Sequence, residues 1–136
     1  MNPYSDDYYR DGIVALTAEF RFRICWDGTR SLLQQRGIDP MRCLLLSCDQ
    51  GDDTNGLLML PDGSMVDFDV RENRTTRTHE RFSNWTPVEY SGREFEIARD
   101  IVTSSTNDEF DAGVLAHFNA EWRDRDAPLP PVDRIW

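Results

Sequence analysis

The run from Leu57 to Val70 constrains the fold more than any other stretch. Four apolar residues, Leu57 to Leu60, lead into Pro61-Asp62-Gly63. Proline presets the φ of a turn's second residue, and glycine supplies a positive φ after it. Beyond the turn, Val66, Phe68 and Val70 alternate with Asp67, Asp69 and Arg71. Side chains along a strand point to opposite faces, so this is a strand with one apolar and one charged side. Two strands and a tight turn make a hairpin, and a hairpin needs further cover to be stable.

The flanking sequence supplies that cover. Cys43 to Cys48 reads as a short apolar strand, and Gly51 to Gly56 as the loop after it. Thr75 to Trp85 reads as a polar, threonine-rich strand at a sheet edge. Together these predict a four-stranded antiparallel meander. Two helices should follow. Ser91 and Glu94 are spaced as a capping box, with Phe95, Ala98, Ile101 and Val102 on one face after it. Thr106 and Glu109 repeat the spacing, followed by Phe110, Val114, Phe118 and Trp122 at four-residue intervals.

The first third is ambiguous. Tyr9, Ile13, Leu16, Phe20 and Ile24 recur at helical spacing, yet Val14 to Trp26 also alternates as a strand would. Helix is the favoured reading, because Ala, Leu, Glu and Arg dominate the exposed positions. A break is expected near Asp27-Gly28, and Gly37 sits where a helix-ending glycine belongs. The fold class is therefore α+β: an N-terminal helical segment, the four-stranded antiparallel meander, and two C-terminal helices packed on one face. Residues 1–136 are read as a single domain. Residues 127–136 form a proline-rich, extended tail that docks on it through Ile135 and Trp136.

Composition bears on function mostly by exclusion. The chain holds 15 basic and 25 acidic residues for a net charge of −10, and every basic residue is arginine. Without lysine, Schiff-base chemistry, Ser-Lys nucleophiles and the P-loop phosphate cradle are closed. Such a negative field repels nucleic acid and anionic membranes and attracts basic surfaces. The N-terminus is polar and acidic rather than a signal peptide, and no apolar run approaches the ~20 residues that span a bilayer. A cytoplasmic location is the expectation.

Few residues point to catalysis. Cys25, Cys43 and Cys48 lie in apolar runs without CxxC spacing, and read as reduced, partly buried thiols. His117 and Glu121 are four apart, a spacing that suits an ion pair as well as two metal ligands. No serine lies in a Gly-x-Ser-x-Gly elbow. Arg74, Arg77 and Arg81, with Phe82 and Trp85, form a candidate stacking strip, although cross-strand pairing with neighbouring acids accounts for these arginines better.

The acids are more telling. Between Cys43 and Val70 stand six carboxylates (Asp49, Asp52, Asp53, Asp62, Asp67 and Asp69) and no base. Asp67 and Asp69 share a strand face. Read as a docking surface, these six would steer a cationic partner. Read as a solvated sheet face, they would be balanced by Arg71 to Arg81. Read as a metal site, Asp67 and Asp69 would offer oxygen ligands to Mg²⁺.

A small, strongly acidic chain without a catalytic motif resembles, in composition, bacterial immunity proteins that neutralise toxins. It resembles also small phage inhibitors that mimic nucleic acid. The leading expectation is a cytoplasmic binding protein, not an enzyme, with no cofactor or resident metal. It would inhibit a basic protein partner by covering it with the acidic hairpin. The alternative is a metal-dependent enzyme built on Asp49 to Asp69.

Overall fold

The computed structural model describes residues 5–49, 54–73, 75, 78–104 and 108–122. Helix α1 (Asp6–Phe22) settles the ambiguity of the first third. Ser5 caps it by accepting from the Tyr8 N–H at 3.2 Å, and Asp6 and Asp7 complement the positive end of the helix dipole. The alternating pattern loses because Thr17 and Ala18, adjacent in sequence, are both buried, as a helix against two neighbours allows.

The helix stops four residues before Asp27. Arg23 is extended, at φ −71° and ψ 139°, and a single 3₁₀ turn (Ile24–Trp26) follows. This turn changes the fate of two residues. Ile24, expected on the core face, is 57% exposed, while Trp26 is fully buried. Helix α2 (Asp27–Gln35) then runs directly on. The Arg30 guanidinium donates to the carbonyls of Phe20 at 2.7 Å and Arg23 at 2.9 Å, so α2 satisfies acceptors that the end of α1 leaves open. Gly37, at φ 76°, ends α2 as the sequence predicts. Its N–H reaches the Gln34 carbonyl and the Ile38 N–H reaches that of Leu33, a Schellman closure.

Four strands form one antiparallel sheet in the order β1-β2-β3-β4: β1 (Leu44–Ser47), β2 (Asn55–Met59), β3 (Met65–Asn73) and β4 (Thr78–Val88). The meander is as expected, with β4 shifted three residues toward the C-terminus. Gly56 lies where β2 passes an irregularity in β1, and a Cβ there would collide with the Ser47 carbonyl oxygen. Gly63, at φ 90°, makes the β2–β3 turn.

Helices α3 (Arg93–Thr103) and α4 (Asp108–Glu121) complete the chain. The Ser91–Glu94 capping box does not form. Gly92 occupies the cap position at φ 143° with no side-chain hydrogen bond, because the chain leaves β4 through a conformation closed to serine. Thr106 of the second box and the tail 127–136 lie outside the described residues.

Side-chain alternation in β2 and β3 sorts the core into two layers. On one face, Leu44, Leu57, Met59 and Met65 pack with Ile97, Ala98, Ile101, Phe110 and Val114 from α3 and α4. On the other, Leu45, Leu58, Val66, Phe68 and Val70 pack with Phe20, Trp26, Leu32 and Leu33. Trp26 meets Phe20 and Phe68 edge-on, at centroid distances of 5.4 and 6.3 Å.

Helix α1 lies along the β1 edge and contributes to both layers. The Leu45 N–H donates to the Thr17 hydroxyl at 3.3 Å, and Arg21 donates to the Cys43 carbonyl at 3.4 Å. Arg21 also pairs with Asp111 of α4 at 2.7 Å and lies over the Phe110 ring. These contacts block an edge that would otherwise offer unpaired backbone groups.

Candidate functional site

The hairpin acids do not meet at one point. Asp49 and Asp69 flank Asn55 at the open end of the β2–β3 pair. Asn55 donates to the Asp49 carboxylate at 3.2 Å and stands opposite Asp69 in the strand register. Asp67 is two residues along β3 on the same face and exposed. Asp62 occupies the turn at the far end, beyond the roughly 13 Å that the four steps of β2 cover at about 3.3 Å each. There it accepts from the Ser64 N–H at 2.9 Å and from the Ser64 hydroxyl at 2.6 Å. These bonds hold its carboxyl below the ordinary value of 3.8. Asp52 and Asp53 lie outside the described residues.

The next strand does not neutralise this face. Across from Asp67 stands Thr86, and across from Asp69 stands Asn84. Asn84 donates to the Asp67 backbone carbonyl at 3.2 Å, and Thr86 donates to the Asn84 side chain at 2.7 Å. The first base in the register is Arg71, and it faces Arg81 rather than an acid. Among the described residues, Arg71 and Arg81 therefore lack the directly opposed acid that cross-strand charge pairing, expected from the sequence, would need. A bulge at Asp69/Val70 shifts the register by one and sets Arg71 opposite Arg81, and a second at Arg71/Glu72 sets Glu72 opposite His79. Among the described residues, ion pairs form elsewhere: Arg21 with Asp111, Arg23 with Glu19, Arg30 with Asp27, and Arg93 with Asp6 and Glu96. Arg74 and Arg77 lie outside the described residues. The aromatic partners of the supposed strip, Phe82 and Trp85, sit on the opposite sheet face, with Arg36 of α2 stacked 4.9 and 4.3 Å from their ring centroids.

The acidic face is only half uncovered. Where α1 and α3 reach the sheet, a groove of about 880 Å³ opens between them. Its floor is Ile13, Leu16, Leu46 and Leu57, its walls include Tyr8, Tyr9 and Phe95, and its charged groups are Asp11 and Glu94. A smaller hollow of about 310 Å³ shares Ser47, Leu57 and Phe95 with it and adds Asp67 and Tyr90. The strand carboxylate and the helix aromatics thus border two hollows that share three lining residues. Tyr90 stacks on Phe95 at 5.6 Å and 28°, and remains 47% exposed; Tyr8, T-shaped against Tyr9, is 57% exposed. Arg93 fixes the spacing of the two helices by a bidentate pair with Asp6, at 2.9 and 2.7 Å. That guanidinium keeps the Asp6 carboxyl below 3.8.

Sequence reasoning singled out Asp67 for its charge and had no signal for this groove. Tyr8, Tyr9 and Asp11 are more than 75 residues from Tyr90, Glu94 and Phe95. Only the packing of α1 beside α3 joins them, and no local motif marks it.

The groups that would carry chemistry are weakly placed for it. Burial pushes the Cys43 thiol up to about 12, against a smaller opposing effect of Arg21, so it is no thiolate near neutrality. Among the described residues, no three His, Cys, Asp or Glu side chains converge as metal ligands. Nor, among them, is any helix long and apolar enough to cross a membrane. No protein-family model, characterised protein or solved structure matches this chain.

Proposed function

We propose that this chain is a binding protein that inhibits a basic protein partner. In its most concrete form it is a cytoplasmic immunity protein that neutralises a bacterial toxin, working without a cofactor. The observation that carries this reading is the neutrality of the residues opposite the hairpin acids. Asp67 and Asp69 face Thr86 and Asn84, so their charge is left for a partner rather than cancelled inside the sheet. Carboxylates of this kind raise the rate of encounter with a cationic surface and disfavour anionic ones.

The test compares the parent chain with a variant in which Asp49, Asp52, Asp53, Asp62, Asp67 and Asp69 are all changed to Asn. Both are used as bait at low and high salt, and any basic protein retained is assayed with each. Retention by the parent alone, together with inhibition of the captured protein's activity, supports the reading. Equal retention and inhibition by both removes the hairpin as the interface.

A further inference from the structure

We propose that the groove between α1 and α3 is the anchoring site of that partner, and that it takes an arginine-bearing segment of polypeptide. This inference rests on the binding reading above and assigns it a place and a ligand chemistry.

Every charged group lining the groove and its adjoining hollow is acidic: Asp11, Glu94 and Asp67. An anionic occupant such as a nucleotide or an acidic peptide is repelled. A purely apolar occupant fills the floor at Leu46 and Leu57 but strips water from the carboxylates without replacing its hydrogen bonds. The occupant that satisfies both has an apolar stem and a cationic head. Lysine and arginine side chains each have this form. The walls choose between them. Tyr8, Tyr90 and Phe95 present aromatic surface beside the carboxylates, and a planar guanidinium stacks on such rings while donating bidentately to a carboxylate. The volume, about 880 Å³ in the groove alone, is that of a site for several residues rather than one side chain. The Arg93–Asp6 pair links the first turns of the two helices, and Tyr90 stacks on Phe95 on the α3 side, so these groups are placed before anything binds.

A capped arginine-bearing peptide, its lysine counterpart and its neutral citrulline counterpart serve as probes, read by fluorescence anisotropy on the intact chain. The expected order is arginine over lysine, with no measurable binding of citrulline. Tyr90→Ala should weaken the arginine peptide roughly five- to tenfold, the size of one partly exposed cation–π contact. Glu94→Gln and Asp67→Asn should each weaken it several-fold. Glu109→Gln and Glu121→Gln remove the same charge from exposed positions of α4 that line neither hollow, and should change affinity by less than about twofold, because such exposed charges act only through screening solvent. Melting curves confirm that each variant is folded.

Equal weakening by all four carboxylate changes would show attraction to the net charge alone and overturn the site. So would binding of arginine and citrulline peptides alike, or no binding of the arginine peptide. Failure here is separable from failure of the broader reading. A basic partner inhibited equally by the parent and by Tyr90→Ala, yet not by the hairpin variant, removes the groove and leaves the binding protein standing.

Discussion

The two faces of the sheet come from the same strands but are finished differently. Under α2 the face is closed along its length: Val66, Phe68 and Val70 are buried, and Phe82 and Trp85 lie beneath Arg36. Under α1 and α3 the face is closed only at one end, over Met65, Leu57 and Met59. Beyond Leu57 it passes into the groove and then into the row of exposed Asp67, Asn84 and Thr86 with half-buried Asp69. Both faces carry core packing, but the one under α2 is covered as far as its strand residues run, while the other gives way beyond Leu57 to charge and aromatic surface.

That division can be broken from the closed side first. Phe68→Ala removes a ring that is 1% exposed and touches Trp26 and Phe82. It should cost about 3–5 kcal/mol in urea unfolding, the range for a buried Phe. A cost under about 1 kcal/mol would mean that this face does not carry the fold.

Arg21 lies at the border, where α1 serves both layers. Arg21→Ala should cost about 1–3 kcal/mol, as a charge-assisted bond and the cover of the Cys43 carbonyl are lost together. The solvent exposure of Asp111, 52% at its side chain, holds the effect to that range, because the abandoned charge is not buried.

On the open side the expectation reverses. Asp67→Asn with Asp69→Asn should shift stability by no more than about 0.5 kcal/mol, the range of surface substitutions without buried partners. The same pair should slow association with a cationic partner and flatten its salt dependence in stopped-flow measurements. A large loss of stability would make these carboxylates structural.

The smallest effect is at the turn. Folding lowers the Asp62 carboxyl below 3.8 through the Ser64 bonds. Its contribution is therefore present above pH 3.8 and is lost as the pH falls from there through the folded value. Ser64→Ala should return the carboxyl toward 3.8 in an NMR titration and flatten this acid limb, with no change near neutrality.

Local chemistry determined much of this protein from the sequence alone. Pro61-Asp62-Gly63 dictated a hairpin because few residues tolerate φ near 90°, and alternation from Val66 to Val70 named its inner and outer sides. Gly37 ended a helix for the same conformational reason. Four-residue recurrence placed Phe110 and Val114 inward on α4, and both are buried. What misled was information that local spacing lacks. Ile24 continued the helical face in sequence, yet Arg23 turned the chain first. Ser91 and Glu94 had box spacing, yet Gly92 took the cap. Arg71 seemed to answer the acids beside it, yet the bulge at Asp69/Val70 set it against Arg81.

Tertiary structure alone decided the rest. Helix α1 had no sequence signal for lying along the β1 edge; that position follows from Thr17 and Arg21 meeting backbone groups which only a formed sheet presents. The groove exists because α1 and α3 pack side by side in one core layer, with Arg93 pairing to Asp6 across 87 positions of chain. Periodicity reports which side of an element is apolar, but not which element will cover it or where the cover stops. In this protein the stopping point, at Leu57 and Asp67, is where the candidate site begins.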